Sequence, residues 1–254
     1  MGVAWGDCVA GKMARMKRLN SPLPVSGCVV RKVVAALALL FLAPLSAWAA
    51  CGNAPAAGVD WSGCEKARLI LRKAELQGAK LDGATLNGSD LAQANLAGAD
   101  LTRAGLERVR LTGADLDRAK LVRLMGYRTN FSGSKLVGAD LTKAELMRSN
   151  FSAANLAGAN FEKAEMQRAV LDGAVLTGAN LSGADLARAN LGKAKLGGAR
   201  LEQARMFLTR IEGVDLSAAL GMSQSQLDSA CGDSQTKLPK GLKAPASWPC
   251  PKED

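Results

Sequence analysis

The chain has 254 residues, a net charge of +10, 4% aromatic residues and no histidine. Without histidine there are no Ser-His or Cys-His nucleophile pairs and no His-metal sites. The length suits one mature domain with its two ends.

The front of the chain is basic and then apolar. Met16-Lys17-Arg18 and Arg31-Lys32 precede the run Val33 to Leu42, and Ala47-Trp48-Ala49 follows. That order is n-region, h-region and an A-x-A site, so residues 1–49 are read as a secretory signal peptide cut after Ala49. The start codon is then Met1, Met13 or Met16. A membrane anchor is the rival reading, opposed by the shortness of the run and by Pro44. Trp48 argues against lipid modification at Cys51. Removing residues 1–49 takes away six Lys/Arg and one Asp and leaves +5, a mildly basic mature chain. A periplasmic or secreted location follows.

Residues 50–70 form an N-terminal cap in this reading, with Trp61 covering the interior. From residue 71 to 216 one phrase, A-(D/N)-L-x-x, recurs without insertion: Ala94-Asn95-Leu96, Ala99-Asp100-Leu101, Ala184-Asp185-Leu186. Between Leu76 and Leu216, 22 of 29 five-residue centres are Leu. Phe131, Phe151, Phe161, Met166, Met206 and Ile211 keep others apolar, and Gly126 alone breaks the column. Two residues before the centre, Ala stands in 21 of 29 cases. Two columns held that long mark a repeat architecture.

A helix would turn by about 140° net per five residues and scatter the leucines. A strand would flip them at each repeat, because five is odd. A chain turning a corner at every repeat keeps all centres inward, with four repeats to a four-sided coil. Here the sequence resembles the pentapeptide repeat proteins over roughly residues 64–216. The resemblance implies an all-β solenoid, a right-handed quadrilateral β-helix, here of about seven coils with a short C-terminal capping helix. Leu124 and Gly126 exchange the small and large positions, which predicts a locally inverted packing or a bulge.

Residues 217–254 are expected to close the far end. Ser223-Gln224-Ser225-Gln226 has the form of a capping box, so a short helix is predicted over about 223–231. A tail through Trp248 and Cys250 follows. Cys51, Cys64, Cys231 and Cys250 form an even set, two at each end, and read as two disulfides in an exported chain. Three pairings are possible; Cys51–Cys64 and Cys231–Cys250 are favoured because each closes a short loop. A zinc site is the rival, opposed by the distance between the two pairs.

No catalytic residues, metal site or cofactor are predicted, and the many Gly-x-x-x-x-Gly spacings follow from the repeat. The exterior offers one ordered feature. Arg108, Arg128, Arg148, Arg168 and Arg188 recur at every fourth repeat and predict a column on one face, beside Arg103, Arg123, Lys143 and Lys163. Glu145, Glu165 and Asp185, three residues before Arg148, Arg168 and Arg188, would neutralise much of it. Tyr127, Met147 and Phe207 are expected outward on the same side. The functional expectation is a non-enzymatic scaffold binding an unknown protein or envelope component through this face. The alternative is a binder of anionic polymer or lipid through the arginines. Some pentapeptide repeat proteins resemble DNA duplexes and occupy DNA gyrase through acidic surfaces. A basic, exported chain departs from them, so gyrase and nucleic acid are set aside as partners.

Overall fold

The computed structural model describes residues 51–250; the expected signal peptide and its cleavage point lie outside the described residues, as does the end of the tail. Each five-residue unit is built the same way. The carbonyl of a centre accepts the N–H three residues on, as from Ala79 N to Leu76 O at 3.0 Å, and closes a turn. The second turn residue takes a positive φ, +64° at Gly78, the mark of a type II turn. The residue before the next centre is extended and bridges in parallel to its counterpart four units on, as Lys80 does to Asp100. Its N–H reaches back one layer (Lys80 N to Val59 O, 2.9 Å), while the next centre's N–H reaches forward (Leu81 N to Asp100 O, 2.7 Å).

This arrangement corrects the expected all-β solenoid. Among the described residues there is no named strand and no continuous sheet or barrel: each unit contributes a single bridge residue, and turns separate the bridges. The reason is local. A turn takes two of every five residues, so no extended segment reaches ordinary strand length. The terms β-helix and solenoid imply sheets that this chain does not form. The expected count of about seven coils also fails, because bridges that each step on by four units run from Asp60 to Leu220, and two longer steps reach Cys231 and Lys237.

The interior follows the two sequence columns. Leu76, Leu96, Leu116 and Leu156 are fully buried, as are Ala79, Ala99 and Ala159. Each buried Leu contributes about 1.5–3 kcal/mol of apolar burial, and Ala fits where four large side chains leave little room. Phe131 and Phe151, one layer apart, stack with ring centroids 4.7 Å apart, and Phe161 meets Phe151 edge-on at 6.0 Å. The exchanged pair is an inverted packing. Leu124 is fully buried, a Cβ on Gly126 would lie 3.0 Å from Leu146 Cδ2, and Met125 keeps its bridges to Gly105 and Glu145. The register shows no bulge there.

The one named helix among the described residues, α1, spans Gln224–Ser229, shorter than the predicted 223–231. Ser223 and Gln226 form a reciprocal capping box. No helix among the described residues is long and apolar enough to cross a membrane.

Candidate interaction site

The five predicted arginines occupy one turn position in successive layers. Arg108, Arg128, Arg148, Arg168 and Arg188 all have a left-handed backbone, with φ between +55° and +59°. Arg103, Arg123, Lys143 and Lys163 do the same on the adjacent corner, at +55° to +56°. Glycine fills this position in many other units, and at Gly78, Gly98, Gly158 and Gly178 an added Cβ would meet nothing within 4 Å. Backbone conformation therefore favours glycine there, since room is available. An L-residue in that conformation costs about 1–2 kcal/mol. The long stems recover part of this by lying along the next layer, as Arg68 Cγ does 3.6 Å from the Cβ position of Gly88.

Charge pairing runs mainly between layers. Arg110 meets Asp90 at 2.9 Å, Lys80 meets Asp60 at 3.5 Å, and Lys120 meets Asp100 at 3.8 Å. Asp185 holds Arg205 one layer on at 2.9 Å and accepts from Gln167 Nε2. The basic partners are exposed, whereas the Asp90 and Asp185 carboxylates are mostly covered. Near the C-terminal end, the Ser217 hydroxyl and backbone N–H, with Lys237, hold the Asp215 carboxyl down at about 2. Asp233 is also held below the ordinary carboxylate value, chiefly by the backbone N–H of Gly213.

The structure does not assemble the expected recognition face. Arg128 lies 5.2 Å from the centroid of the Tyr127 ring, and Met147 sits one layer on, both residues half-buried. Phe207, 57% exposed, is four layers from Tyr127, with Gln167 and Ala187 between in the same column. The apolar members form no single patch. Glu145, Glu165 and Asp185 are bridged in succession beside the arginines, so the column carries both signs. Binding of a protein or envelope component through one organised face is withdrawn, and so is anionic-polymer or lipid binding through the arginines.

Sequence reasoning missed the work of the Asp/Asn in the repeat phrase. Its side-chain oxygen accepts the backbone N–H two residues on and braces the turn, as Asp100 does for Thr102 at 3.1 Å and Asn130 for Ser132 at 3.0 Å. The D/N alternation was the available signal, because both residues supply that acceptor. Non-alanine inward residues also have a reason. Ser89, Thr129, Ser149 and Thr209 lie in one column and donate to carbonyls of the layer before, those of Lys66, Leu106, Gly126 and Leu186.

Disulfides join Cys51 to Cys64 and Cys231 to Cys250, with Cα separations of 5.6 and 5.3 Å. No group of His, Cys, Asp and Glu among the described residues is arranged to hold a metal ion.

The family profile described as pentapeptide repeats matches in eight copies, over residues 56–88, 89–123, 127–162, 154–192 and 184–220. Among curated proteins none matches. Among solved structures, the chain is similar to HetL of the cyanobacterium Nostoc sp. strain PCC 7120, a pentapeptide repeat protein involved in heterocyst differentiation regulation. The identity is 27%, covering 78% of this chain and 96% of HetL, with a TM-score of 0.39. It is also similar to QnrB1, a plasmid-mediated fluoroquinolone resistance protein, at 19% identity over 74% of this chain and 91% of that one, TM-score 0.30. A pentapeptide repeat protein of the Arabidopsis thaliana thylakoid lumen is 28% identical over 41% of this chain and 65% of its own, TM-score 0.22. The exclusion of DNA gyrase and nucleic acid as partners is withdrawn. At these TM-scores the likeness assigns no partner.

Proposed function

Because the chain belongs to the pentapeptide repeat family, we propose that it is a non-catalytic scaffold, working as a disulfide-braced structural element outside the cytoplasm. Proteins of this family are generally non-catalytic scaffolds, and this chain is not an enzyme. The observation that carries the proposed location is the pair of cross-links, one near each end of the described chain. Such bonds persist in oxidising compartments and are kept reduced in the cytosol of most cells. The basic and apolar order of residues 16–49, read as an export signal, supports the same location.

The experiment is differential thiol labelling of the protein taken directly from fractionated source cells. The expected result is a chain outside the cytoplasm whose four mature cysteines resist alkylation until reduced. A cytoplasmic chain with all four free at extraction would end this reading.

A further inference from the structure

Many turns are braced from within their own unit. Asp115 Oδ1 accepts Asp117 N at 3.1 Å, as Asp100 does for Thr102. Gly105 has no side chain to do this for Glu107. Asn87, one layer before, supplies the acceptor instead, its Oδ1 taking Glu107 N at 2.8 Å. Asp117 does the same for Val137 N at 2.8 Å, where Lys135 offers no oxygen. A Cβ on Gly105 would stand 3.1 Å from Asn87 Oδ1 and 3.6 Å from its Cγ, so the two residues fit as a pair.

Asn87 also precedes Gly88, the one Asn-Gly step in the sequence; the other asparagines of the repeat precede Leu or Phe. Glycine carries no side chain to shield its N–H from the preceding side-chain amide. Their reaction closes a succinimide ring. Gly88 N bonds to Asn87 Cγ and gives up its proton to water, and Nδ2 leaves as ammonia. Water then opens the ring at Cγ to aspartate, or at the backbone carbonyl carbon to isoaspartate. In the folded chain both groups are tied to one residue. Gly88 N donates to Glu107 O at 2.9 Å, while Asn87 Oδ1 accepts Glu107 N. With both bonds made, the nitrogen is engaged and the amide is held from turning onto it. Attack therefore needs the two layers to part at this corner.

We propose that Asn87 is a hydrolytic modification site, held dormant by the backbone of Glu107 and released by local opening between layers. The aspartate product keeps an acceptor for Glu107 N. The isoaspartate product lengthens the main chain within a turn and takes the corner out of register. Such a site goes beyond the scaffold reading and does not need the export it invokes.

The test follows Asn87 by peptide mapping and mass spectrometry while the intact chain ages in warm neutral buffer. Conversion is expected to be slower by about tenfold or more in the native chain than in urea-unfolded chain. Urea below the unfolding midpoint raises it in step with amide exchange at Gly88. Gly105→Ala crowds Asn87 off Glu107 N and speeds conversion by about tenfold, with the Leu156 layer still protected. If that variant fails to fold, the urea series on the unaltered chain decides alone. Native conversion as fast as in the unfolded chain overturns the proposal, as does a rate indifferent to Gly88 exchange. So does an Asn87 that stays intact in the unfolded chain, or ammonia loss at Asn95 or Asn130 ahead of it.

Discussion

The two ends of the described chain solve the same problem in different ways. At the C-terminal end each side of the last layer finds a partner. Leu220 accepts from Leu201 N at 2.9 Å, Cys231 from Ile211 N at 2.8 Å, and Lys237 from Leu216 N at 2.8 Å. On the remaining side Leu208 N donates to Ser229 O at 2.7 Å, and Gln226 adds two bonds, its Nε2 donating to the carbonyls of Leu201 and Ala204 at 2.7 and 2.9 Å. Tail residue Trp248 then folds over α1 and donates from Nε1 to Ala230 O at 2.7 Å, above a glycine, Gly232, whose missing Cβ leaves room for the ring. At the N-terminal end Trp61 fills the interior, with Nε1 donating to Asn53 O at 3.1 Å. That closes the apolar interior, while the backbone edge finds no backbone partner among the described residues. Interior and edge are separate demands, and a parallel stack does not end itself.

Ways to break this comparison differ in size. Trp61→Ala opens the interior at the N-terminal end and is expected to cost about 3–5 kcal/mol, read by calorimetry or urea titration. Reducing the cross-links comes next. They span 13 and 19 residues, and each loss is expected to cost about 3 kcal/mol, with Cys231→Ser loosening the tail first in hydrogen exchange. Gln226→Leu strips the Ala204 carbonyl of its partner and leaves the Leu201 carbonyl with Ala204 N alone, and is expected to cost about 2 kcal/mol, localised to α1 and the last layer. No such loss is expected from Glu75→Ala, on the side opposite in role. The smallest effect is acid loosening confined to the C-terminal end. The Asp215 and Asp233 carboxyls are depressed in the folded chain, so their contribution is present above the ordinary value of 3.8. It fades as pH falls below that value, through about 2 in the case of Asp215. Amides of residues 233–237 should lose exchange protection in that window while the Leu156 layer keeps its own.

Much of the interior was legible from residues alone. Leu and Ala columns sort by size, and the spacing of Ser223 and Gln226 announces a cap, because these signals are local. Strand content was not legible. The five-residue units return to register after four corners yet are too short to extend, and only the turn geometry shows it. The recognition face failed for a related reason. Tyr127 and Phe207 share a column by arithmetic, but side chains touch across one layer and not across four. The Asp/Asn preference was visible as a letter pattern without its cause, which is the backbone N–H two residues on. Positive φ at the arginines was hidden because glycine, the usual sign of that conformation, is absent there.

The central claim is that single bridges between units four apart, punctuated by a turn in every unit, hold the chain together. Residue-resolved amide exchange tests it most directly. Around Leu76 to Leu86 the account predicts slow exchange at Gly78, Ala79, Lys80 and Leu81, whose N–H groups are bonded. It predicts fast exchange at Gln77, Asp82 and Asn87, whose N–H groups have no backbone acceptor among the described residues, so the fast amides recur every fifth position. Uniformly fast exchange, or unbroken protection through Gln77 and Asp82, would contradict it.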